Sequence, residues 1–353
     1  MAPETMAAVR LIGHGGLDRL EYRTDVQVPR PGPGELLIRV AAAGVDNTDI
    51  NTRIGWYSKS VDSDDADATW SGRPLQFPRI QGADVCGYVD DVGEGVSRDR
   101  LGERVLVRTM LRAPVAHRPF ECWTFGSEID GGFAQYTVVP DADTYAVRND
   151  WSDPELAAIP CAYSTAENMI QRAAVGAERV LVTGASGGVG LAAVALAARR
   201  GATVTAVCST AKAAVVREQG AAQTLDRDAD VVEALGRSSV DVVLDLVGGP
   251  RTSGLLDALR RGGRYAVSGA IGGPLASIDL RTVYLHDLSL LGCTFQEDAV
   301  FADLVGYVER DEVRPVVSRT YPLEQIARAQ GDFLGKTLPG KLVLIPPDAG
   351  PSA

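Results

Sequence analysis

The sequence predicts an α/β protein with a β-rich N-terminal domain and a doubly wound parallel sheet. Short strand-like runs bounded by Gly, Pro and Asp fill residues 1–150. From about residue 152, apolar strand-like runs alternate with helix-like stretches, which is typical of a parallel sheet covered by helices on both faces. A glycine-rich turn, Gly184–Gly190, joins the first of these runs to an alanine-rich stretch.

The first domain is predicted to comprise residues 1–150 and 300–353. Its clearest strands are Leu36–Ala43, Gly87–Val92 and Arg104–Arg108, each bounded by turn-forming residues. The final stretch contains one more strand, within Gly340–Pro346. We expect this strand to return to the first domain. The polar, acidic stretch Val61–Gly72 is expected to form a loop.

The second domain is predicted to comprise residues 151–299. Its first helix is expected to have Asp153 as its N-cap and Pro154 at its first position. The predicted strands are Val180–Thr183, Thr203–Cys208, Asp241–Gly248, Arg264–Gly269 and Leu288–Phe295. Ligands of such sheets lie at the carboxyl ends of the strands. This rule places Gly248, Gly269, Ala270 and Thr294 near the cofactor, and Val247 is a further cofactor-binding candidate.

The glycine-rich turn is typical of a nucleotide site. It follows a β-branched apolar run and leads into a helical stretch, so free backbone N–H groups and the helix dipole would face a pyrophosphate. A purely structural turn that lets helix and strand pack closely is the alternative. The nucleotide interpretation makes cofactor-binding candidates of Gly184, Ser186, Gly187, Gly188 and Val189.

The next strand favours NADP(H) over NAD(H). Sites for the unphosphorylated dinucleotide usually carry an acid near the end of this strand, where it binds the ribose hydroxyls. Here Ser209 and Lys212 follow the strand, and Arg227 comes after the next apolar stretch. Hydroxyls and cations suit a 2′-phosphate. Alternatively, Lys212 and Arg227 are ordinary solvated surface charges.

Composition narrows the class of protein. The chain has 353 residues, a net charge of −11 and a pI near 4.9, which disfavours nucleic-acid and anionic-membrane partners. No apolar run is long enough to span a bilayer. Five scattered cysteines without a CxxC pair, and an N-terminus unlike a signal peptide, predict a cytoplasmic protein.

Seven segments in order resemble the medium-chain dehydrogenase/reductase superfamily over essentially the full length. The resemblance implies a GroES-like catalytic domain interrupted by a Rossmann domain, an active site in the cleft between them, and a homodimer. It also places Thr165 and Lys341 among the cofactor-binding residues. The matching segments are Pro31–Val40, Ala43–Asp49, Gly82–Val89, Asp130–Tyr136, Cys161–Glu167, Gly184–Gly190 and Gly340–Leu344.

The zinc ligands of the superfamily's alcohol dehydrogenases are mostly replaced. By motif, Asp46 stands at the first Cys position, Ala83 at the His position and Asp84 at the neighbouring Glu position, while Cys161 keeps its ligand type. Alanine cannot bind a metal ion, although Asp46, Asp84 and Cys161 could form an unusual site. The four clustered cysteines of a structural zinc lobe are absent. The resemblance is therefore closer to the zinc-independent quinone oxidoreductases and enoyl reductases.

That branch implies candidate catalytic residues. Tyr57 falls where some enoyl reductases place a proton-donating tyrosine, although it could simply be a packing aromatic. Asp46 and Asn47 fall where quinone oxidoreductases carry an Asn near the nicotinamide. Asn47 could donate to a substrate oxygen, whereas an ionised Asp46 would repel an enolate, so a protonated Asp46 or recognition of a cationic or hydroxylated substrate is expected.

The expected function is NADPH-dependent, zinc-free transfer of hydride to an activated C=C bond or a quinone. Without zinc, the acceptor has to be activated by hydrogen bonds and protonated by a side chain or water. Two alternative functions remain open: an alcohol or ketone dehydrogenase of the same superfamily, and a catalytically silent NADPH-binding protein. In each case the partner is a small molecule.

Overall fold

The computed structural model describes residues 2–57 and 74–347. The chain forms two compact units. Unit 1 comprises Met1–Cys161 and Pro315–Ala353, and unit 2 comprises Ala162–Arg314. The acidic stretch predicted to be a loop, residues 61–72, lies outside the described residues.

Strands and helices follow one another along the chain as the sequence pattern indicates. The strands are β1 (Thr5–Leu11), β2 (Leu20–Gln27), β3 (Glu35–Val45), β4 (Arg79–Ile80), β5 (Asp84–Val92), β6 (Arg104–Val107), β7 (Met110–Leu111), β8 (Trp123–Thr124), β9 (Tyr136–Pro140), β10 (Thr144–Ala146), β11 (Arg179–Val182), β12 (Thr203–Cys208), β13 (Gln223–Asp226), β14 (Val240–Asp245), β15 (Leu259–Val267), β16 (Ser289–Gly292), β17 (Val317–Pro322) and β18 (Lys341–Ile345). The helices are α1 (Asn47–Arg53), α2 (Asp153–Leu156), α3 (Pro160–Arg172), α4 (Gly188–Arg199), α5 (Ala213–Glu218), α6 (Val231–Leu235), α7 (Thr252–Ala258), α8 (Leu280–Leu285), α9 (Asp298–Glu309) and α10 (Ile326–Leu334).

Unit 2 contains the predicted doubly wound sheet. Its strands run parallel in the order β13-β12-β11-β14-β15-β16, so the strand order reverses next to β11. The central strand β14 is buried along its whole length, and its apolar residues join those of β15 and α7 in one core. A strand order that reverses in this way defines the crevice in which such folds bind nucleotides.

Unit 1 is the predicted β-rich domain. Its large sheet has the order β10-β6-β5-β3-β18-β17, with β9 also paired to β3. Because β18 runs antiparallel to β3, the last strand of the chain returns to the first domain, as predicted. Apolar side chains of β1, β3, β5, β9 and β18 form the core.

The helix boundaries differ from prediction at α2. Ser152, rather than Asp153, is the N-cap, and both its backbone N–H and its hydroxyl donate to Glu155 Oε2, at 3.0 and 2.6 Å. Pro154 is the second helical residue. Helix α2 contacts β3 and β5 and therefore belongs to unit 1, whereas the predicted boundary at residue 151 had assigned it to the second domain.

Among the described residues, no helix is long and apolar enough to cross a membrane. The five cysteines all lie within the described ranges, and none of them forms a disulfide.

Candidate active site

The predicted cofactor-binding residues of unit 2 lie where its parallel strands end. The glycine turn follows β11, Ser209 follows β12, and Val247 follows β14. Gly269 and Ala270 follow β15, and Thr294 follows β16. Thr165 lies on α3 and is half-buried. Because the carboxyl ends of parallel strands share one edge of the sheet, the residues that follow these strands lie along the edge at which such folds bind nucleotides.

The glycine turn has the geometry that a pyrophosphate needs. Helix α4 begins at Gly188 with Gly187 as its N-cap. A Cβ at Gly190 would lie 2.2 Å from the carbonyl oxygen of Gly184, so only glycine allows α4 to pack this closely. A Cβ at Gly187 would come no closer than 3.6 Å to the Gly184 carbonyl oxygen, which is ordinary van der Waals contact, so the protein itself does not require glycine at this position. The residues present therefore fit a dinucleotide whose phosphates lie at the helix N-terminus.

Asp245 links the strand ends at this edge of the sheet through hydrogen bonds. It is fully buried at the end of β14, where its carboxylate accepts hydrogen bonds from Thr183 Oγ1 and Tyr265 Oη, each at 2.5 Å, and from the backbone N–H of Val247 at 2.9 Å. These bonds connect the ends of β11, β14 and β15. Sequence reasoning missed this residue, although an acid inside the apolar run Asp241–Gly248 was the available signal.

Two cations stand beside the ends of β12 and β13. Partial burial lowers the pKa of Lys212, and the nearby charge of Arg227 lowers it further, so the two positive charges are close enough to repel each other. An acid is also present. Asp226, at the end of β13, accepts from Thr210 Oγ1 at 2.6 Å, and this hydrogen bond lowers its pKa. The pair of cations fits a phosphate, while Asp226 adds a negative charge that sequence reasoning overlooked.

In unit 1, acidic side chains cluster at the N-terminus of helix α1. Asp46 is the N-cap residue, and its backbone N–H donates to Asp49 Oδ2 at 2.8 Å. Asp49 Oδ1 accepts from the backbone N–H of Gly82 at 3.2 Å, which ties the helix to the loop before β5. Burial, together with the neighbouring Asp46 carboxylate, raises the pKa of Asp49 to about 7. Acidic side chains therefore crowd this helix N-terminus.

Lys341 occupies the centre of the cluster. Its Nζ donates to Asp46 Oδ1 at 2.5 Å and to Asp84 Oδ2 at 2.6 Å, and its side chain is only 2% exposed. The two carboxylates raise the pKa of Lys341 despite its burial. Lys341, expected to bind the cofactor, is thus buried between two carboxylates, and Asp46, expected to meet a substrate, forms an ion pair with it. The cofactor role of Lys341 and the substrate role of Asp46 stay predictions.

Tyr57 belongs to the same cluster. Asn51 Nδ2 donates to Tyr57 Oη at 3.3 Å. Burial raises the pKa of Tyr57, while hydrogen bonds from Asn51 and Thr48 partly offset this rise. Asn47 lies apart, because its side chain is exposed and its Oδ1 accepts from Lys336 Nζ at 3.3 Å. Sequence reasoning did not identify the two partners of Tyr57, Thr48 and Asn51, both of which lie on α1.

Comparison with known proteins agrees with these observations. Residues 32–149 match the family described as "Alcohol dehydrogenase GroES-like domain", and residues 188–310 match "Zinc-binding dehydrogenase". The human quinone oxidoreductase is 30% identical over 96% of this chain and 98% of its own. The chain belongs to the medium-chain dehydrogenase/reductase superfamily, in its quinone oxidoreductase-like branch.

Two further relatives are similar along most of their length. The acryloyl-coenzyme A reductase of Metallosphaera sedula is 30% identical over 96% of this chain and 99% of its own. A Sinorhizobium meliloti 1021 structure, solved as a candidate alcohol dehydrogenase, is 45% identical with a TM-score of 0.91, covering 98% of both chains. As a member of this superfamily, the chain is an oxidoreductase that uses a nicotinamide cofactor and a small-molecule substrate.

The residues at the superfamily's zinc positions do not fit a catalytic zinc ion. Ala83 offers no ligand, and the carboxylates of Asp46 and Asp84 both contact the Lys341 ammonium. Burial raises the pKa of the Cys161 thiol, and the two carboxylates raise it further, which disfavours the thiolate that zinc binds. Within residues 2–57 and 74–347, no group of His, Cys, Asp and Glu side chains is arranged to hold a metal ion.

Proposed function

We propose that this protein is an NADPH-dependent reductase of conjugated C=C bonds or quinones that acts without zinc. The observation that carries the proposal is the Lys341 ammonium between Asp46 and Asp84. A positive side chain in this place is incompatible with a metal ion that would polarise a simple carbonyl. A conjugated acceptor spreads the incoming charge and therefore depends less on such a metal. The names of the quinone oxidoreductase and acryloyl-coenzyme A reductase relatives support the same class.

The crevice of unit 2 would hold the cofactor. The α4 N-terminus, with Gly187 as its N-cap, suits the pyrophosphate, while Lys212 and Arg227 suit the 2′-phosphate. Ser209, Val247, Gly269, Ala270 and Thr294 would line the remainder of the site, with Thr165 on α3. Once bound, NADPH supplies a hydride.

Tyr57 is the proposed proton donor. When the β-carbon of the acceptor receives the hydride, the C=C electron pair moves toward the carbonyl oxygen and an enolate forms. Tyr57 then transfers its phenolic proton to the α-carbon, and solvent restores the phenol. Hydrogen bonds donated by Asn51 and Thr48 stabilise the phenolate left behind. Asn47 remains a candidate donor to the substrate oxygen, although its exposed position gives this role no structural support.

The activity is tested by measuring NADPH oxidation with the purified enzyme on matched acceptors. We expect turnover with a quinone, an enone or an acryloyl thioester, and little with the corresponding saturated ketone or alcohol. Zinc content is measured on the same sample by elemental analysis. Stoichiometric zinc together with alcohol turnover would identify an alcohol dehydrogenase instead. Tight NADPH binding without oxidation by any acceptor would indicate a catalytically silent binding protein.

Replacing both Lys212 and Arg227 by Ala is expected to weaken NADPH binding about 100-fold. A charge-assisted hydrogen bond contributes about 1.5–3 kcal/mol, and tenfold in affinity corresponds to about 1.4 kcal/mol. NADH binding should change less than about threefold, because NADH carries no 2′-phosphate. Dissociation constants for both cofactors can be measured by fluorescence titration, with Arg237→Ala as a surface control. Equal weakening of both cofactors would contradict the 2′-phosphate assignment.

We also propose that unit 2 forms a homodimer. Strand β16 lies at the edge of the sheet, so its outer backbone groups can pair with those of a second copy. Large apolar side chains are exposed on this strand and on the segment before it: Ile271, Leu275, Leu280, Tyr284, Leu285 and Leu290.

Five cysteines without a disulfide favour a reducing compartment such as the cytoplasm.

Replacing Leu290 by Asp is expected to yield a monomer. The leucine is exposed on the edge strand, so the change should cost the isolated chain little while placing a charge in the proposed interface. Sedimentation velocity of the variant, the wild type and Leu334→Asp, a control on unit 1, measures the outcome. A wild-type monomer at micromolar concentration would refute the proposed dimer.

A further inference from the structure

We infer that Asp226 limits the preference of this protein for NADPH over NADH, because its carboxylate holds two donors of Thr210 beside the cations that suit the 2′-phosphate. The inference rests on the proposed position of that phosphate at Lys212 and Arg227. It adds a residue that determines cofactor specificity by opposing the phosphate, whereas the two cations attract it.

Asp226 stands one strand away from the position at which an acid usually selects the unphosphorylated cofactor. In such sites the acid lies near the end of the second strand of the sheet, which here is β12 and is followed by Ser209. Asp226 is the last residue of the neighbouring strand β13, and it pairs in register with Cys208, the last residue of β12. Neighbouring strands lie about 4.7–4.9 Å apart, so the two strand ends are level and adjacent.

The carboxylate of Asp226 is hydrogen-bonded to Thr210, the residue that follows Ser209. Asp226 Oδ2 accepts from Thr210 Oγ1 at 2.6 Å and from the Thr210 backbone N–H at 3.2 Å, and Oδ1 accepts from the backbone N–H of Asp228 at 3.0 Å. These hydrogen bonds lower the pKa of Asp226, so the carboxylate is ionised at neutral pH. A hydroxyl and a backbone N–H also suit phosphate oxygens, and here both are directed at Asp226.

The turn after β13 holds this carboxylate in place. The backbone N–H of Ala229 donates to the Asp226 carbonyl oxygen at 3.0 Å. Arg251 donates to the carbonyl oxygen of Arg227 and, at 3.3 Å, to Asp228 Oδ1. An acid and a cation are therefore presented side by side on one braced turn.

The two cofactors would meet Asp226 differently. A phosphate monoester carries a charge of about −1.5 to −2 at pH 7, so the 2′-phosphate is attracted by Lys212 and Arg227 and repelled by Asp226. It also competes with Asp226 for the Thr210 donors. A 2′-hydroxyl is uncharged and can itself donate to a carboxylate. Asp226 therefore weakens NADPH binding and leaves NADH binding nearly unaffected.

Calorimetric titration of full-length variants tests the inference. Besides NADPH and NADH, the ligands are adenosine 2′,5′-bisphosphate and AMP, which differ by the 2′-phosphate alone and need no turnover. Asp226→Ala removes the charge and releases both Thr210 donors, so the two 2′-phosphorylated ligands should bind about tenfold tighter and the other two should change less than about threefold. Asp226→Asn removes the charge but keeps an acceptor for Thr210, and a gain of about threefold is expected. Because Asp226 is exposed, both variants should remain folded.

Two further variants make the result specific. Glu218→Ala removes another exposed acid of unit 2, on α5, and should leave all four affinities within about twofold. Thr210→Val alone should change NADPH affinity little, because the hydroxyl already donates to Asp226. Combined with Asp226→Ala, it should reduce the gain to about threefold. An undiminished gain in the double variant would overturn the inference.

The outcomes distinguish this inference from the proposed function. If replacing Lys212 and Arg227 by Ala weakens both cofactors equally, the 2′-phosphate lies elsewhere, and the proposed NADPH site and the inference are both wrong. If that replacement weakens NADPH selectively while Asp226→Ala leaves the ratio of NADPH to NADH affinity unchanged, only the inference is wrong. The same conclusion follows if Glu218→Ala raises this ratio as much as Asp226→Ala does.

Discussion

Replacing Tyr57 by Phe is expected to lower kcat for enone reduction about 100-fold, with KM changed less than about threefold. The phenyl ring keeps the packing, including the edge-to-face contact with Trp56 at 5.7 Å between ring centroids. Only the hydroxyl that receives the Asn51 hydrogen bond is lost. A positioned proton donor typically contributes 10²–10⁴-fold, and water can take over part of this role. Steady-state kinetics of NADPH oxidation measure the change.

Two comparisons make the Tyr57 result specific. Asn51→Ala, which removes one donor to the phenol oxygen, should reduce kcat by less than Tyr57→Phe and shift the pH profile of kcat toward higher pH. Trp56→Phe should leave kcat nearly unchanged, because the edge-to-face contact with Tyr57 is a ring contact that Phe can also make. A Tyr57→Phe enzyme with wild-type kcat would show that water protonates the α-carbon and that Tyr57 is a packing residue.

Replacing Gly190 by Ala is expected to lower the melting temperature by about 10 °C and to abolish measurable NADPH binding. The added Cβ would lie 2.2 Å from the Gly184 carbonyl oxygen and 2.6 Å from the Ala185 Cα, and backbone atoms on both sides cannot move away cheaply. Overpacking of this kind costs about 1–3 kcal/mol or more, and 1 kcal/mol corresponds to about 2–4 °C in a domain of this size. Thermal unfolding and fluorescence titration measure the two effects.

Gly187→Ala is the matched control for Gly190→Ala. Its Cβ meets no protein atom closer than 3.6 Å, so the melting temperature should stay within about 2 °C. NADPH binding should nevertheless weaken about tenfold or more, because the methyl group would stand where the pyrophosphate approaches. Unchanged NADPH affinity in Gly187→Ala would mean that the phosphates bind elsewhere.

The fold was predictable because its signals are local. Alternating apolar runs and helical stretches indicated the parallel sheet of unit 2, and Thr203–Cys208 was predicted with the observed bounds of β12. The short strand β13 was missed because its residues are only partly buried, so it carries a weak apolar pattern. At α2, two capping residues in succession, Ser152 and Asp153, offered alternative N-caps, and the hydrogen bonds to Glu155 favour Ser152.

The site was predictable only in part. The glycine turn is contiguous in sequence, and its chemistry follows from residue type and order. The cluster around Lys341 is different, because its members are 257 and 295 residues apart in the chain. Sequence reasoning identified Asp46 and Asp84 as altered zinc positions and Cys161 as a retained one, yet it assigned Lys341 to the cofactor. The ion pairs of Lys341 depend on β18 lying beside β3. The local sequence pattern does not predict which residues of these two strands are paired.

The position of Lys341 on β18 also constrains the order in which the two units fold during synthesis. Strand β18 lies between β3 and β17 in the sheet, and it carries the cation that Asp46 and Asp84 require. A nascent chain ending before residue 341 therefore has an unpaired edge on β3 and two buried carboxylates without a counter-ion, both of which are costly. Unit 2 lies wholly within Ala162–Arg314 and can complete its sheet earlier, so the unit that begins first at the ribosome finishes last.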